Sequence, residues 1–322
     1  MRVLYGIQGT GNGHITRSSK VIERLRNLGL DVDIAISGKC HQVNVPYDIK
    51  YNFSGFNFTH NQDGSINKLK TFLNNNFYQF LKDVKLNLSE YDKVITDFEP
   101  ITSWASKWQN KEVWGLGNQY SFLSEKIPRP KNRDILSESI LKIMSPVNNY
   151  IGLHYEAYDD FIYQPIIRDD VINSKVCNKG HYTVYLPNFK LSNLVSRLMQ
   201  FGGIQFHIFS SEVKNITKNK NCIILPLNKE EFLDSFISSE GIITTGGFQT
   251  TSESLYCGKK LLVIPIRGQY EQICNVEALK KIGVMCGNDL DSISLFLLTS
   301  NIIIKKWEDP TDKIINKIIN GN

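Results

Sequence analysis

Residues 241–257 read Gly-Ile-Ile-Thr-Thr-Gly-Gly-Phe-Gln-Thr-Thr-Ser-Glu-Ser-Leu-Tyr-Cys, and residues 260–275 read Lys-Leu-Leu-Val-Ile-Pro-Ile-Arg-Gly-Gln-Tyr-Glu-Gln-Ile-Cys-Asn. Two short apolar runs, at 241–244 and 260–264, enclose a segment that opens on two glycines and continues with helix-compatible residues. Apolar runs of strand length that alternate with helical segments are typical of parallel α/β sheets. The stretch therefore predicts a strand–helix–strand unit.

The helix start in this unit suits a diphosphate. After Gly246 and Gly247 the first helical N–H groups have no partner within the helix, and the helix dipole presents its positive end there. Glycines let the main chain approach a ligand closely because they carry no side chain. Glu253 lies two turns further on, where a carboxylate can accept hydrogen bonds from a ribose diol. Glu271 and Gln272 follow the second strand and can contact sugar hydroxyls.

A second glycine-rich turn follows the first predicted strand, Val3–Ile7, and reads Gly-Thr-Gly-Asn-Gly-His over residues 9–14. It lacks the Gly-Lys-Ser/Thr ending of a phosphate-binding P-loop and the third glycine of the dinucleotide fingerprint. His14 stands at the entrance of the next helix, where an imidazole can take a proton from a hydroxyl group. Asp97, at the end of another strand, can orient it, and Glu99 is a competing base. Helix capping by both acidic residues is the structural alternative.

The same alternation of strands and helices runs through nearly the whole chain and restarts after residues 163–179, which predicts two α/β units. A chain of 322 residues also exceeds the size of most single cores. We expect one domain over residues 1–168 and a second over 169–304. A cleft between the carboxyl ends of their strands is the natural ligand site.

The composition argues against several other functions. Net charge is +5, with no dense basic block, so nucleic-acid binding is unsupported. The six cysteines form no Cys-x-x-Cys pair, which favours buried free thiols in a reducing compartment. The first apolar run is too short for a signal peptide, and no apolar run approaches the length of a membrane span. We therefore expect a cytoplasmic protein.

The residues of the opening stretch resemble the donor-binding segment of GT-B-fold glycosyltransferases, in particular family 28 enzymes and UDP-glycosyltransferases. The shared positions are Gly247, Thr250, Thr251, Ser252, Glu253, Glu271, Gln272 and Asn275. Family 28 enzymes also carry a first loop that ends in Gly-His, as Gly13 and His14 do here. The resemblance therefore covers both halves of the chain.

This resemblance implies two facing Rossmann-like domains, with a final helix over 305–322 that packs back on the first. It implies a transferase that uses a nucleotide diphosphate sugar, most simply a UDP-sugar, with inversion and without a metal or other cofactor. The implied catalytic residues are His14, Asp97 and Glu99. The implied donor-binding residues are Gly246, Gly247, Phe248, Gln249, Thr250, Thr251, Glu253, Glu271, Gln272 and Asn275, with Leu227 beside the base. The first loop contributes Gly11, Asn12, Gly13 and Arg17.

Two related activities stay open. Nucleotide-sugar hydrolases of the pseudaminic acid pathway share a similar Gly-x-Gly-His-x-x-Arg turn, although they lack the Glu-Gln-x-x-Asn block present here. Sugar-nucleotide 2-epimerases share the fold, but their first-loop Gly-Thr-Arg-Pro is absent. The chain also departs from the family pattern at Leu186-Pro187-Asn188, where family 28 enzymes have a Gly/Ser-rich turn.

The acceptor is the part of the reaction that the sequence leaves open: a glycan, a lipid or a small molecule all fit. A basic loop over 126–133 precedes an apolar helix that begins near Ile135. This segment, 126–143, could contact the inner face of a membrane or a lipid-linked acceptor. A solvated loop beside a packed helix is the alternative.

Overall fold

The computed structural model describes residues 1–38, 47–55 and 75–321. Strands of the N-terminal half form one sheet in the order β3-β2-β1-β4-β5-β6-β7, with parallel pairing throughout. These strands are β1 (Arg2–Gln8), β2 (Asp31–Ser37), β3 (Tyr51–Phe53), β4 (Lys93–Asp97), β5 (Val113–Gly117), β6 (Asn149–Leu153) and β7 (Ile162–Tyr163). The helices are α1 (Asn12–Asn27), α2 (Phe77–Asp83), α3 (Pro100–Trp108), α4 (Asn118–Ser121), α5 (Ile135–Met144) and α6 (Asp169–Ile172).

The C-terminal half forms a second sheet in the order β10-β11-β9-β8-β12-β13-β14, parallel except for the β10–β11 pair. Its strands are β8 (His181–Tyr185), β9 (Gln205–Ser210), β10 (Thr217–Asn219), β11 (Cys222–Pro226), β12 (Gly241–Thr244), β13 (Lys260–Val263) and β14 (Met285–Cys286). The helices are α7 (Leu191–Leu198), α8 (Lys229–Ser238), α9 (Phe248–Tyr256), α10 (Tyr270–Ile282), α11 (Ser292–Leu298) and α12 (Thr311–Asn320).

The predicted fold class, α/β with two parallel-strand units, is confirmed. Central strands such as β4 and β12 are buried along nearly their whole length because helices cover both faces of a parallel sheet. Strands β6, β7, β10 and β14 were not predicted. Strand β10 reads Thr-Lys-Asn with every residue exposed and carries no apolar strand signal, whereas in β6, Asn-Tyr-Ile-Gly-Leu, a glycine interrupts the short apolar run.

One hydrophobic core joins the two halves. The same cluster contains Ile15 of α1, Tyr155 after β6, and Phe248 and Leu255 of α9. Helix α12 lies beside α1, and its buried Ile314 belongs to that cluster too. The domain boundaries expected at 168 and 304 stay a prediction.

The structure describes only part of one helix that the sequence predicts. The predicted helix over 66–88 lies partly outside the described residues, and the described part contains α2 at Phe77–Asp83.

Among the cysteines, Cys222, Cys257 and Cys274 are buried free thiols and Cys177 is exposed, whereas Cys40 lies outside the described residues. Within the described ranges, no helix is both long and apolar enough to cross a bilayer.

Candidate active site

A cleft of about 870 Å³ separates the carboxyl ends of the two sheets. From the N-terminal half it is lined by the turn after β1 and by Gln119 of α4. From the C-terminal half it is lined by the turn between β12 and α9 and by the start of α10. Strand ends of both sheets therefore deliver polar residues and backbone to one space, as expected for ligand sites in α/β folds.

The two glycine-rich turns of the sequence meet in this cleft. A Cβ atom built on Gly13 would lie 3.2 Å from the Cβ of Gln249, which is tighter than most side-chain contacts. The loop that carries His14 therefore packs directly against the first turn of α9. The missing side chain at position 13 is what allows the two halves to approach this closely.

His14 lies in the first turn of α1 and is held by a buried carboxylate. Its Nδ1 lies 2.7 Å from Oδ1 of Asp97, which stands at the end of β4 and is fully buried. A carboxylate only accepts hydrogen bonds, so this contact assigns the imidazole proton to Nδ1. Nε2 is then left with its lone pair on the side of the cleft, where a histidine can act as a proton acceptor.

Asp97 is itself fixed by three further donors. Arg17 donates to both of its oxygens, and Ser18 Oγ donates to Oδ2 at 3.0 Å. Burial alone would raise the pKa of Asp97, but the Arg17 guanidinium and His14 outweigh it and hold the pKa below its usual value. A permanently ionised carboxylate behind the imidazole stabilises the positive charge that the ring acquires with a proton.

Glu99, the competing base, is placed differently. It is the N-cap of α3 and accepts hydrogen bonds from the backbone N–H groups of Ile101 and Thr102 and from the hydroxyls of Thr102 and Ser37. The residue is fully buried and is not among the described residues that line the cleft. Its surroundings therefore fit a capping group better than a proton acceptor.

The turn before α9 is built to keep backbone N–H groups open. Helix α9 begins after Gly247, and no side chain caps it. A Cβ on Gly246 would lie 2.8 Å from the carbonyl oxygen of Gln272, so the turn requires glycine there. Phe248, Gln249 and Thr250 line the cleft beside these N–H groups. The arrangement presents a positive helix end to the cleft, which suits a phosphate group.

Two of the expected donor-binding residues, Gln272 and Asn275, brace this turn. Gln272 Oε1 accepts hydrogen bonds from the N–H groups of Gly246, at 3.1 Å, and Ile266, at 3.0 Å. Asn275 Nδ2 donates to the Gly246 carbonyl at 3.0 Å. Gln272 still lines the cleft, with its amide nitrogen as the group not used in bracing. A direct contact of Gln272 with the sugar, and of Asn275 with the donor, stays a prediction.

Glu253 is held by two side chains and is not among the described residues that line the cleft. Arg168 donates to its Oε1 and Oε2, each at 2.8 Å, and Gln249 donates to Oε1 at 2.7 Å. The side chain of Glu253 is 3% exposed. These contacts tie α9 to the segment that joins the halves, and the predicted ribose contact would have to compete with them.

Some of the remaining expected residues line the cleft, and others lie outside its lining. Thr250, Gly11 and Asn12 line the cleft. Thr251 is buried behind it and shares a hydrogen bond of 2.7 Å with the Tyr155 hydroxyl. Leu227 follows β11 and is not among the described residues that line the cleft, so its predicted contact with the base is untested.

Sequence reasoning missed two parts of this site. Gln119 bridges the halves, and its position in a Gly-Asn-Gln run at a strand end was the available signal. An apolar wall also closes one side of the cleft. It is formed by Phe77, Phe80, Trp104, Ile140, Leu141, Ile143 and Met144.

Two Rossmann-like α/β units that face each other across a cleft define the GT-B class of glycosyltransferases. The sequence model of Glycosyl transferase family 1 matches residues 1–302, and the chain belongs to this family. The protein is therefore a glycosyltransferase, as the resemblance predicted.

Solved structures share the fold over the whole chain. MurG of Acinetobacter baumannii has a TM-score of 0.57 at 13% identity, covering 99% of this chain and 99% of that chain. SnogD of Streptomyces nogalater has a TM-score of 0.52 at 12% identity, with coverage of 98% and 99%. UGT89C1 of Arabidopsis thaliana, in complex with UDP, has a TM-score of 0.57 at 11% identity, with coverage of 99% and 90%. No curated protein sequence matches the chain.

Proposed function

We propose that this glycosyltransferase moves a sugar from a nucleotide diphosphate donor, most simply a UDP-sugar, to an acceptor hydroxyl. The observation that carries the proposal is the placement of His14, backed by Asp97, directly opposite the open start of α9. A proton acceptor and an anion site then face each other across a space that can hold a sugar.

The donor is bound mainly by backbone. N–H groups at the start of α9, with Gly247 at its N-cap, would hold the diphosphate and stabilise the negative charge that grows on it as it leaves. Because the helix end supplies this stabilisation, we propose that the reaction needs no metal ion.

The chemical step is a direct displacement. The acceptor oxygen forms a bond to the anomeric carbon, the bond between that carbon and the diphosphate oxygen breaks, and its electron pair leaves with the diphosphate. His14 Nε2 takes the acceptor proton, and Asp97 balances the resulting imidazolium charge. A single displacement inverts the anomeric configuration.

The acceptor carries an apolar body in this proposal. The apolar wall continues onto the surface through Ile135 of α5, which is 74% exposed, and Ile143, which is 61% exposed. Burying such side chains against a ligand contributes about 25 cal/mol per Å². The same face is the part of 126–143 that could rest on a membrane surface.

The basic loop before α5 contributes little free charge to that contact. Lys126 pairs with Asp159, Arg129 pairs with Glu138, and Arg133 pairs with both Glu125 and Glu138. Apolar contact therefore carries the acceptor proposal, and attraction to anionic lipid is a secondary element of it.

A donor screen tests the function. Wild-type protein is incubated with UDP-sugars and with acceptors that share one hydroxyl group but differ in alkyl chain length, with and without EDTA. UDP release that depends on acceptor and survives EDTA is expected, and NMR should show an inverted anomeric centre. Release of free sugar without any acceptor would favour the hydrolase instead. A retained configuration would contradict the proposed base.

A further inference from the structure

Gln119 stands where the two halves meet at the reaction centre. It belongs to α4, the short helix that follows β5, and it is 6% exposed. Its Nε2 donates to Glu271 Oε2 of the other half at 2.9 Å. The same nitrogen lies 3.4 Å from His14 Nε2. One amide group thus touches the expected base and the carboxylate expected to contact the sugar.

Helix α4, which carries Gln119, is tied to the neighbouring strand. The Asn118 side chain donates to the Leu153 carbonyl at the end of β6 at 2.9 Å, and Ser121 Oγ closes a hydrogen bond within the helix to the carbonyl of Asn118. A Cβ on Gly117 would lie 3.2 Å from Gln119 Oε1 and 3.1 Å from Asp97 Oδ1. A side chain at 117 would therefore crowd both the Gln119 amide oxygen and the carboxylate that orients the base.

The carbonyl oxygen of the Gln119 amide is available to accept a hydrogen bond. Gln119 Oε1 is buried and has no hydrogen-bond partner among the described residues. A buried polar atom without a partner carries an energetic cost, and such atoms in native proteins commonly mark a place where a ligand or water binds. Here the residue that carries the atom lines the cleft.

Glu271 depends on this contact. Burial raises the pKa of the Glu271 carboxyl, and His14 and the Gln119 hydrogen bond oppose the rise. Without the Gln119 amide, the Glu271 carboxylate would lose its hydrogen-bond donor from the N-terminal half. It would then be free to leave the position in which it can contact a sugar hydroxyl.

We infer that Gln119 is a positioning residue for sugar transfer, which links Glu271 to His14 and so aligns the sugar with the base. Its free carbonyl oxygen accepts a substrate hydroxyl. This inference rests on the proposed function.

A pair of substitutions that exchanges the amide and the carboxylate between positions 119 and 271 tests the contact between Gln119 and Glu271. Gln119→Glu places a carboxylate against Glu271, and because like charges in such contact repel each other, kcat should fall about a hundredfold. Combined with Glu271→Gln, the amide and carboxylate merely change places. In that background Gln119→Glu should lower kcat by less than about tenfold. Gln205→Glu adds the same charge at an exposed position on β9 and is the control.

Turnover is followed as UDP release with the UDP-sugar and acceptor that the wild type uses best, and UDP affinity is measured by calorimetry. We expect the loss to lie in kcat, with UDP affinity within about threefold of wild type, because a structural defect would alter both. Equal effects of Gln119→Glu in the two backgrounds would overturn the inference while leaving sugar transfer intact. A wild-type enzyme without transfer would instead show that the proposed function itself is wrong, and the inference would fall with it.

Discussion

The ion pair between Arg168 and Glu253 gives a prediction that separates a structural role from a donor-binding one. Arg168→Met keeps most of the side-chain length and removes the charge, and Glu253→Gln keeps the shape and removes the negative charge. The two side chains are 11% and 3% exposed, so water cannot replace the lost partner. Each single change leaves a buried group without its partner.

The magnitude follows from burial. Breaking one side of a buried pair costs about 3–5 kcal/mol of unfolding free energy. Burial by itself would lower the pKa of Arg168, but Glu253 outweighs it and holds the pKa above its usual value, so the guanidinium stays charged. The double variant should cost less than the sum of the singles by about 2 kcal/mol or more.

Urea unfolding of the wild type, both single variants and the double variant measures this coupling. Lys280→Met removes an exposed pair with Glu277, in which Lys280 is 52% exposed, and should change stability by about 0.5 kcal/mol or less. UDP affinity of Glu253→Gln, measured by calorimetry, should stay within about threefold of wild type.

Two results would refute this reasoning. Additive effects of the single changes would show that the pair carries no coupling. A fall in UDP affinity of more than about tenfold with unchanged stability would assign Glu253 to the ribose instead.

Three further changes probe other parts of the account. The buried His154 ring has no hydrogen-bond partner on either nitrogen among the described residues, and burial lowers its pKa from 6.5 to about 3. As the pH falls, the unfolded chain therefore binds a proton at His154 before the folded protein does, which destabilises the wild type. The unfolding free energy of His154→Phe minus that of the wild type should rise by about 2 kcal/mol from pH 7 to pH 5. The same difference at both pH values would contradict this. Gly246→Ala should weaken UDP binding about tenfold or more, because its Cβ would meet the Gln272 backbone, whereas Gly202→Ala points into open space and should bind UDP normally. Asp97→Asn should lower kcat about a hundredfold or more with UDP affinity unchanged, and turnover like that of wild type would remove Asp97 from the mechanism.

Much of the fold could be predicted because buried parallel strands are short apolar runs with little ambiguity. Strand β12 was predicted at Gly241–Thr244 and has those bounds, since helices cover both of its faces. The edge strand β10 could not be predicted because exposed edge positions carry no hydrophobic pattern. Helix α5 shows the same limit. Its apolar residues predict a packed helix, yet Ile135 and Ile143 are exposed beside the cleft.

In the candidate site, too, some residues could be predicted from the sequence and others could not. Positions fixed by local chain geometry, such as Gly246 and His14, could be found from glycine-rich turns after strands. Glu253 depends on a partner 85 residues away in sequence and Gln119 on one 152 residues away, and no local pattern encodes such a partner.

The most direct test of the central claim is the turnover of His14→Ala with the wild type's best donor and acceptor, at a UDP affinity shown by calorimetry to be unchanged. The account predicts that kcat falls by about 10²–10⁴, because the acceptor proton loses the base positioned at His14 Nε2. Transfer at close to the wild-type rate would contradict it.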